Sequence, residues 1–264
     1  MKLASDTPFR RTFGIWTRKA LERYAEAERT RNRLGPDLLT GCPEFESLLE
    51  ACAADRRERE TLETALANPY FPISVVSRTH FRNERPELKQ HPEHWDRVLK
   101  QRLVLFCSAF LRIWADLHLF DRDRVTSIPL DGNPRHTLPD AQWCRFCGNC
   151  CQLGGTIPDP PEPICYPGYW YSYIAGDSPV VQEFCPFLFQ FFGQERFFCA
   201  IHNVKPLTCL KFGEADCRRR RAERDRPSRG GEPVSGNAEP RLGPTAEDAK
   251  PGLGVPRERI RGRA

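Results

Sequence analysis

Hydrophobic positions recur with a helical period in three stretches of the first 120 residues. Trp16, Ala20 and Tyr24 stand four apart, with Leu21 beside them, in a stretch dense in Arg and Glu. That spacing predicts an amphipathic helix. A second segment, Pro43 to about Ala67, sets Phe45, Leu48, Leu49 and Cys52, then Leu62, Ala65 and Leu66, on one side. Its polar interval Asp55–Glu60 predicts an exposed turn or two. Pro69 and Pro72 end it, because proline lacks the amide donor and restricts the residue before it.

The longest pattern runs from Pro92 to Phe120. Pro92 suits a first helical position, and Glu93 and Asp96 sit where the helix dipole favours acids. Trp95, Val98, Leu99, Leu103, Phe106, Phe110, Ile113, Trp114 and Leu117 keep the period. The middle, Leu103–Leu111, is apolar nearly all round, so this helix is expected to be buried on several sides and to act as the spine of the molecule.

The pattern then breaks. Residues 121–140 carry Pro129, Asp131-Gly132, Pro134 and Pro139 and read as a connector. Between Cys151 and Cys185, Ile157-Pro158-Asp159-Pro160-Pro161-Glu162-Pro163 and the aromatic run Tyr166–Tyr173 have no regular period, which predicts an ordered loop packed by its rings. Two aromatic runs flank Gly193-Gln194-Glu195, a hairpin pattern. A turn centred on Gln194 would set Cys199 opposite Phe189, with Cys185 on the same face about 13 Å along at ~3.3 Å per residue. Pro206 can open a short helical turn that presents Cys209.

The apolar residues make 39% of 264 residues, to which 18 glycines add; this is ordinary globular composition. No run of eighteen apolar residues occurs, so a membrane span is not expected. Met1–Trp16 carries Asp6, Arg10 and Arg11 and no apolar core of a signal peptide. Residues 218–264 hold 13 Lys or Arg against seven Asp or Glu, a balance of +6, which leaves 27 basic and 28 acidic residues, or −1, in the body. The basic character belongs to a tail poor in large apolar residues and expected to be disordered. A nucleic-acid surface on the body is not indicated.

Nine of the 12 cysteines fall within the 74 residues Cys144–Cys217. Without an export signal the expected compartment is a reducing cytoplasm, where clustered cysteines hold metal more often than they form disulfides. The run Cys144-Arg145-Phe146-Cys147-Gly148-Asn149-Cys150-Cys151 supports that choice. A Cys-x-x-Cys unit turns tightly enough to aim two sulfurs at one ion, and Gly148 relieves the turn. The same spacing brings Cys150 within reach, while Cys151 serves a second metal, bridges two, or faces away. Cys185, Cys199, Cys209 and Cys217 complete the candidate ligands. Soft thiolates suit both zinc and iron–sulfur clusters. Bacterial ferredoxins use C-x2-C-x2-C-x3-C-P; here the first three positions recur and the fourth departs. A second separated knuckle of the kind structural zinc sites use is not present, and the all-thiolate pool favours an iron–sulfur cluster over zinc.

The Cys144–Cys151 motif, Cys185-Pro186-Phe187-Leu188, Cys199-x-Ile201 with Pro206 and Cys209, and Phe212 resemble the YkgJ-type cysteine-cluster family, the zinc- or iron-chelating CxxCxxCC domain. The resemblance covers about residues 143–217. His202 stands where the family usually has Tyr, Lys205 replaces an Arg, and Leu210 replaces the Arg that often follows the cysteine; none of these removes a thiol. The family includes flagellin lysine N-methylase, which implies that some members serve S-adenosylmethionine-dependent protein methylation.

The expected architecture is α-rich (α+β). A helical region with connector (1–140) precedes a small irregular cysteine domain organised by metal (141–217) and a basic tail (218–264). Three functions compete: a metal-binding cysteine-cluster protein, a protein lysine methylase, and a structural zinc module whose helical region binds a protein partner. Cys52 and Cys107 are expected as buried small hydrophobes, and Cys42 stands singly. Cys165 reads as a free or packing thiol, His91 and His94 as surface or N-terminal positions, and His202 as a hydrogen-bonded neighbour of the cluster or a further ligand. No Gly-rich phosphate loop or nucleophile elbow is present.

Overall fold

The structure is a computed structural model. It describes residues 7–30, 39, 41–78, 91–119, 125, 144–151, 155–177 and 184–224. All of these fall within one compact unit, Met1–Asp225. The connector at 121–140, apart from Val125, lies outside the described residues, as does the tail beyond Arg224.

Helices dominate. Helix α1 (Pro8–Arg29) buries Phe9, Phe13, Trp16, Ala20, Tyr24 and Ala27, the stripe that the four-residue spacing predicts. Helices α2 (Pro43–Cys52) and α3 (Arg56–Leu66) bury Phe45, Leu48, Leu49 and Cys52, then Leu62, Ala65 and Leu66. The break between them is at residues 53–55, where Ala53 is extended and the Asp55 carboxylate caps α3 by accepting from the Glu58 amide at 2.8 Å. The polar interval is thus the exposed first turn of α3. A single turn, α4 (Ile73–Val76), follows the Pro69 and Pro72 stop.

Helix α5 (Pro92–Leu119) is the spine. It packs along α3, and its first turn is tied to the start of α1 by the Thr7 hydroxyl, which donates to Asp96. Leu99, Leu103, Phe106, Cys107, Phe110, Ile113 and Leu117 are buried. Leu105 corrects the expectation of burial nearly all round, because it stays 47% exposed on the open side.

Two further differences follow from aromatic packing and from end charges. The stretch after Cys165 is not all loop: Gly168–Ala175 forms α6, opened by Pro167 and closed by Gly176, whose amide donates to Ser172 at 3.1 Å. Its rings give no polar face to reveal a period, yet Trp170 is buried and donates to Asp116 of α5 at 3.2 Å, and Tyr169 donates to the same carboxylate. After α7 (Leu207–Leu210), α8 (Glu214–Arg224) carries helix into the predicted tail. Glu214 and Asp216 suit its first turn, Asp216 accepts from the Gly213 amide at 3.1 Å, and Arg219 pairs with Asp216 at 2.7 Å. Residues 218–224 are therefore helical where disorder was expected.

Strands β1 (Leu188–Gln190) and β2 (Phe197–Cys199) form the predicted hairpin, with Cys199 opposite Leu188 and Phe189 opposite Phe198. The register is one residue from the expectation that set Cys199 against Phe189, because the turn centres between Gly193 and Gln194. The turn packs against α1 through Gly193. Gly193 has φ +72°, and a Cβ there would lie 2.7 Å from Tyr24 Cβ. The strand stops short of Cys185, which precedes β1 in a turn.

The hairpin and the helices share one hydrophobic core. Phe189 meets Phe110 with ring centroids 4.9 Å apart, Phe184 meets Phe106 at 4.9 Å, and Trp170 meets Phe187 at 4.9 Å. The fully buried Gln190 locks hairpin to α4: its Oε1 accepts from the Ser74 amide at 3.0 Å, and its Nε2 donates to Ser74 Oγ and to the Gln194 carbonyl, both at 2.9 Å.

Candidate metal centre

The cysteine run 144–151 is bent by two left-handed residues, Phe146 at φ +53° and Gly148 at φ +71°. The Phe146 carbonyl accepts from the Phe197 amide at 2.6 Å, which fastens the run to β2. A Cβ at Gly148 would lie 3.1 Å from Phe197 Cβ and 3.3 Å from Leu188 Cδ1, so glycine answers both the backbone conformation and the close approach. The run ends in a 3-10 turn, Asn149–Cys151. Helix α8 packs against that turn and carries the buried Cys217. On its other side the Cys151 carbonyl accepts from the Cys185 amide at 2.7 Å.

Three of the thiols share one local device. Sulfur of Cys144 accepts the Phe146 amide, that of Cys185 the Phe187 amide and that of Cys199 the Ile201 amide, each two residues further on. Such bonds favour the charged sulfur. They work against burial, which pushes all three thiols up, Cys199 to about 12. Cys209 is also raised by burial, against the pull of the Lys205 ammonium. Cys150 and Cys151 have sulfurs 3.9 Å apart. The Cys150 thiol is lowered, first because Cys151 donates to it and then by Lys205, while Cys151 is raised by giving that hydrogen bond and by burial.

The thiols also bias one another across segments. Cys144 is raised by Cys150, Cys217 and Cys147; Cys151 by Cys150, Cys199 and Cys185; and Cys185 by Cys199, Cys209 and Cys150. All eight candidate ligands therefore enter one electrostatic neighbourhood. Among the described residues, however, no three Cys, His, Asp or Glu side chains already stand together as a coordination group.

The other candidates stay apart. Cys165 is exposed, Cys52 and Cys107 are buried, and Cys42 is buried with its thiol on the Glu44 carboxylate at 3.0 Å. His91 and His94 lie exposed at the start of α5. His202 is at the surface, its imidazole pKa lowered by partial desolvation and by Lys205. Sequence spacing missed Lys205 as a charge beside three thiols and Asp159 as the anchor of α7. The Asp159 carbonyl accepts from the Leu207 amide at 2.9 Å, and Thr208 donates to the Ile157 carbonyl at 3.2 Å. Spacing along the chain signals neither contact, since both depend on loops meeting in space. No helix among the described residues is long and apolar enough to cross a membrane. No family model, curated protein or solved structure matches the chain.

Proposed function

We propose that this chain is a metal-binding cysteine-cluster protein, as its resemblance to the YkgJ-type family implies. Cys144, Cys147, Cys150, Cys151, Cys185, Cys199, Cys209 and Cys217 would be thiolate donors to an iron–sulfur cluster or to zinc. The observation that carries the reading is the repeated amide-to-sulfur bond: three cysteines on three separate segments each receive the amide two residues ahead. Hydrogen bonds to ligating sulfurs orient them and tune the metal they hold. A buried thiol that stays protonated gains little from such a donor; a ligated thiolate gains much.

The donor chemistry fits. The set is sulfur throughout, which suits zinc and iron–sulfur alike, and Lys205 supplies positive charge beside Cys150, Cys199 and Cys209. Binding would draw inward sulfurs that now only bias one another's charge. An iron–sulfur cluster would bring one-electron chemistry, and zinc would bring structural closure. The Phe146, Phe187 and Ile201 amides would hold the thiolates in either case. Free thiols in this number also require a reducing compartment, in keeping with a cytoplasmic protein.

Anaerobic purification with metal analysis and iron–sulfur spectroscopy tests this. Brown protein carrying iron and inorganic sulfide supports the cluster, and colourless protein with stoichiometric zinc supports the other metal. Protein with neither metal and with these thiols paired in disulfides overturns the reading.

A further inference from the structure

We propose that the single-turn helix α7 and the loop bonded to it form a docking surface for an acidic protein partner, one that presents apolar side chains ringed by Asp or Glu. The surface adjoins Cys209 but does not depend on the metal-binding reading, because it rests on exposure and charge alone.

Six large apolar side chains stay exposed among the described residues, and three of them lie on two segments bonded to each other: Ile157, Leu207 and Leu210, at 65%, 40% and 46%. Leu207 and Leu210 open and close α7, three positions apart, so they share one side of its turn. The loop brings Ile157 to them. The Leu207 amide donates to the Asp159 carbonyl at 2.9 Å, and the Thr208 hydroxyl donates to the Ile157 carbonyl at 3.2 Å and lies 2.9 Å from the Thr156 hydroxyl. These bonds tie loop to helix, so the three aliphatic side chains are carried at the surface by well-bonded backbone. Single exposed apolar residues are ordinary, whereas a group of them bounded by polar residues marks an interaction site.

Charge selects the occupant. From Lys205 to Arg224 the chain holds seven Lys or Arg against three Asp or Glu, a balance of +4, whereas residues 1–204 hold 25 against 26. Lys205 precedes α7, and Lys211 stands exposed at its end. On α8, Glu214 and Asp216 already pair with Arg218 and Arg219, which leaves the other arginines in excess. On the loop, Asp159 turns its carboxylate to the Thr208 amide and hydroxyl at 3.5 and 3.4 Å, and Glu162 is the exposed acid of residues 155–163. A rim of positive sign complements Asp and Glu and repels a second copy of itself. The chain beyond Arg224 carries the same sign, eight Lys or Arg against six Asp or Glu, and does not complement the surface either. Aliphatic anchors suit the apolar centre of a protein interface, while single-stranded nucleic acid stacks on aromatic rings.

Fluorescence anisotropy of the reduced full chain with three synthetic peptides tests this. One interleaves Leu and Phe with Glu, the second has Lys in place of Glu, and the third has Ser in place of Leu and Phe. The acidic apolar peptide should bind at least about tenfold more tightly than either control, and several-fold more weakly at high salt than at low. Leu210→Ser and Lys211→Glu should each weaken it by about fivefold or more. Ile15→Ser, on α1 at 43% exposure, should leave it unchanged. An unchanged Tm shows that a variant is folded, and where one unfolds the ranking of peptides by the wild-type chain still decides. Equal binding of the acidic and basic peptides, or indifference to both substitutions, overturns the proposal. So does tighter binding of a single-stranded oligonucleotide, or self-association in sedimentation that Leu210→Ser abolishes. A chain that carries no metal yet binds the acidic peptide keeps this surface and removes the metal reading; a metal-loaded chain that ignores the peptide does the reverse.

Discussion

The amide of Cys185 donates to the carbonyl of Cys151 at 2.7 Å. These residues lie 34 positions apart, and the bond joins the end of the cysteine run to the approach of the hairpin. Because β1 begins three residues later and is anchored in the core by Phe187, Leu188 and Phe189, the bond ties the thiols to the rigid part of the molecule. The consequences can be measured.

Gly148→Ala should destabilise the metal-loaded chain by about 1–3 kcal/mol. Alanine would be strained at φ +71° and its Cβ would crowd Phe197 and Leu188. Denaturant unfolding checks this, and an unchanged midpoint would refute the packing described for the bend.

Gln190→Leu should cost about 2–4 kcal/mol. The substitution keeps the bulk but leaves the buried Ser74 amide and the half-buried Gln194 carbonyl without their partner. Urea midpoints should fall with an unchanged slope, since the lock is lost without a change in the surface exposed on unfolding.

Alkaline pH should weaken the reduced chain through Cys52 and Cys107. Burial raises Cys52 from 9.0 to about 12, and burial together with Cys52 itself raises Cys107 well above the ordinary thiol range. The unfolded chain gives up these protons near the ordinary value while the folded chain keeps them. The folded state therefore binds more protons in that window, and stability falls as pH rises through it. Below pH 9 the effect is absent. Cys52→Ala should flatten the decline in guanidinium midpoints, and an unaltered slope would count against it.

Cys150 should be the first cysteine of the metal-free chain to react with iodoacetamide near neutral pH. It is exposed, and its thiol is lowered by the hydrogen bond from Cys151 and by Lys205. Cys151→Ala and Lys205→Ala should each slow the reaction several-fold, while Cys107 stays protected. Peptide mapping after short labelling reads the order, and equal labelling of Cys150 and Cys185 would contradict it.

Stripping metal from the isolated chain should lower Tm, because binding energy at a thiolate site is folding energy. Calorimetry before and after chelation under reducing conditions measures the shift. An unchanged Tm would mean that the cysteine segments are held by the aromatic core alone.

Helices α1, α2, α3 and α5 were legible because each has one buried stripe against a polar remainder, and Trp16, Ala20 and Tyr24 or Phe106 and Phe110 mark it at the helical period. Helix α6 was not legible: Tyr169, Trp170, Tyr171 and Tyr173 leave no polar face, and its position depends on Asp116 of a distant helix. The first turns of α8 beyond Cys217 were hidden by a basic composition that reads as tail, until Glu214 and Asp216 are seen to pair with the arginines. Leu105 looked buried because nothing local says which side of α5 remains open.

The sequence by itself determined which side chains can do chemistry and which helical faces must be covered, since residue type, spacing and periodicity are properties of neighbouring positions. Tertiary structure decided the rest. A hairpin register differs by one residue with hardly any change in local pattern, yet it reassigns the partner of Cys199 from Phe189 to Leu188. The Phe146 amide that reaches the Cys144 sulfur depends on a bend held by Phe197 and Leu188 from across the fold. Lys205 becomes part of the thiol environment only because separate loops close upon it, and Coulomb interactions depend on distance in space, which spacing along a chain does not specify.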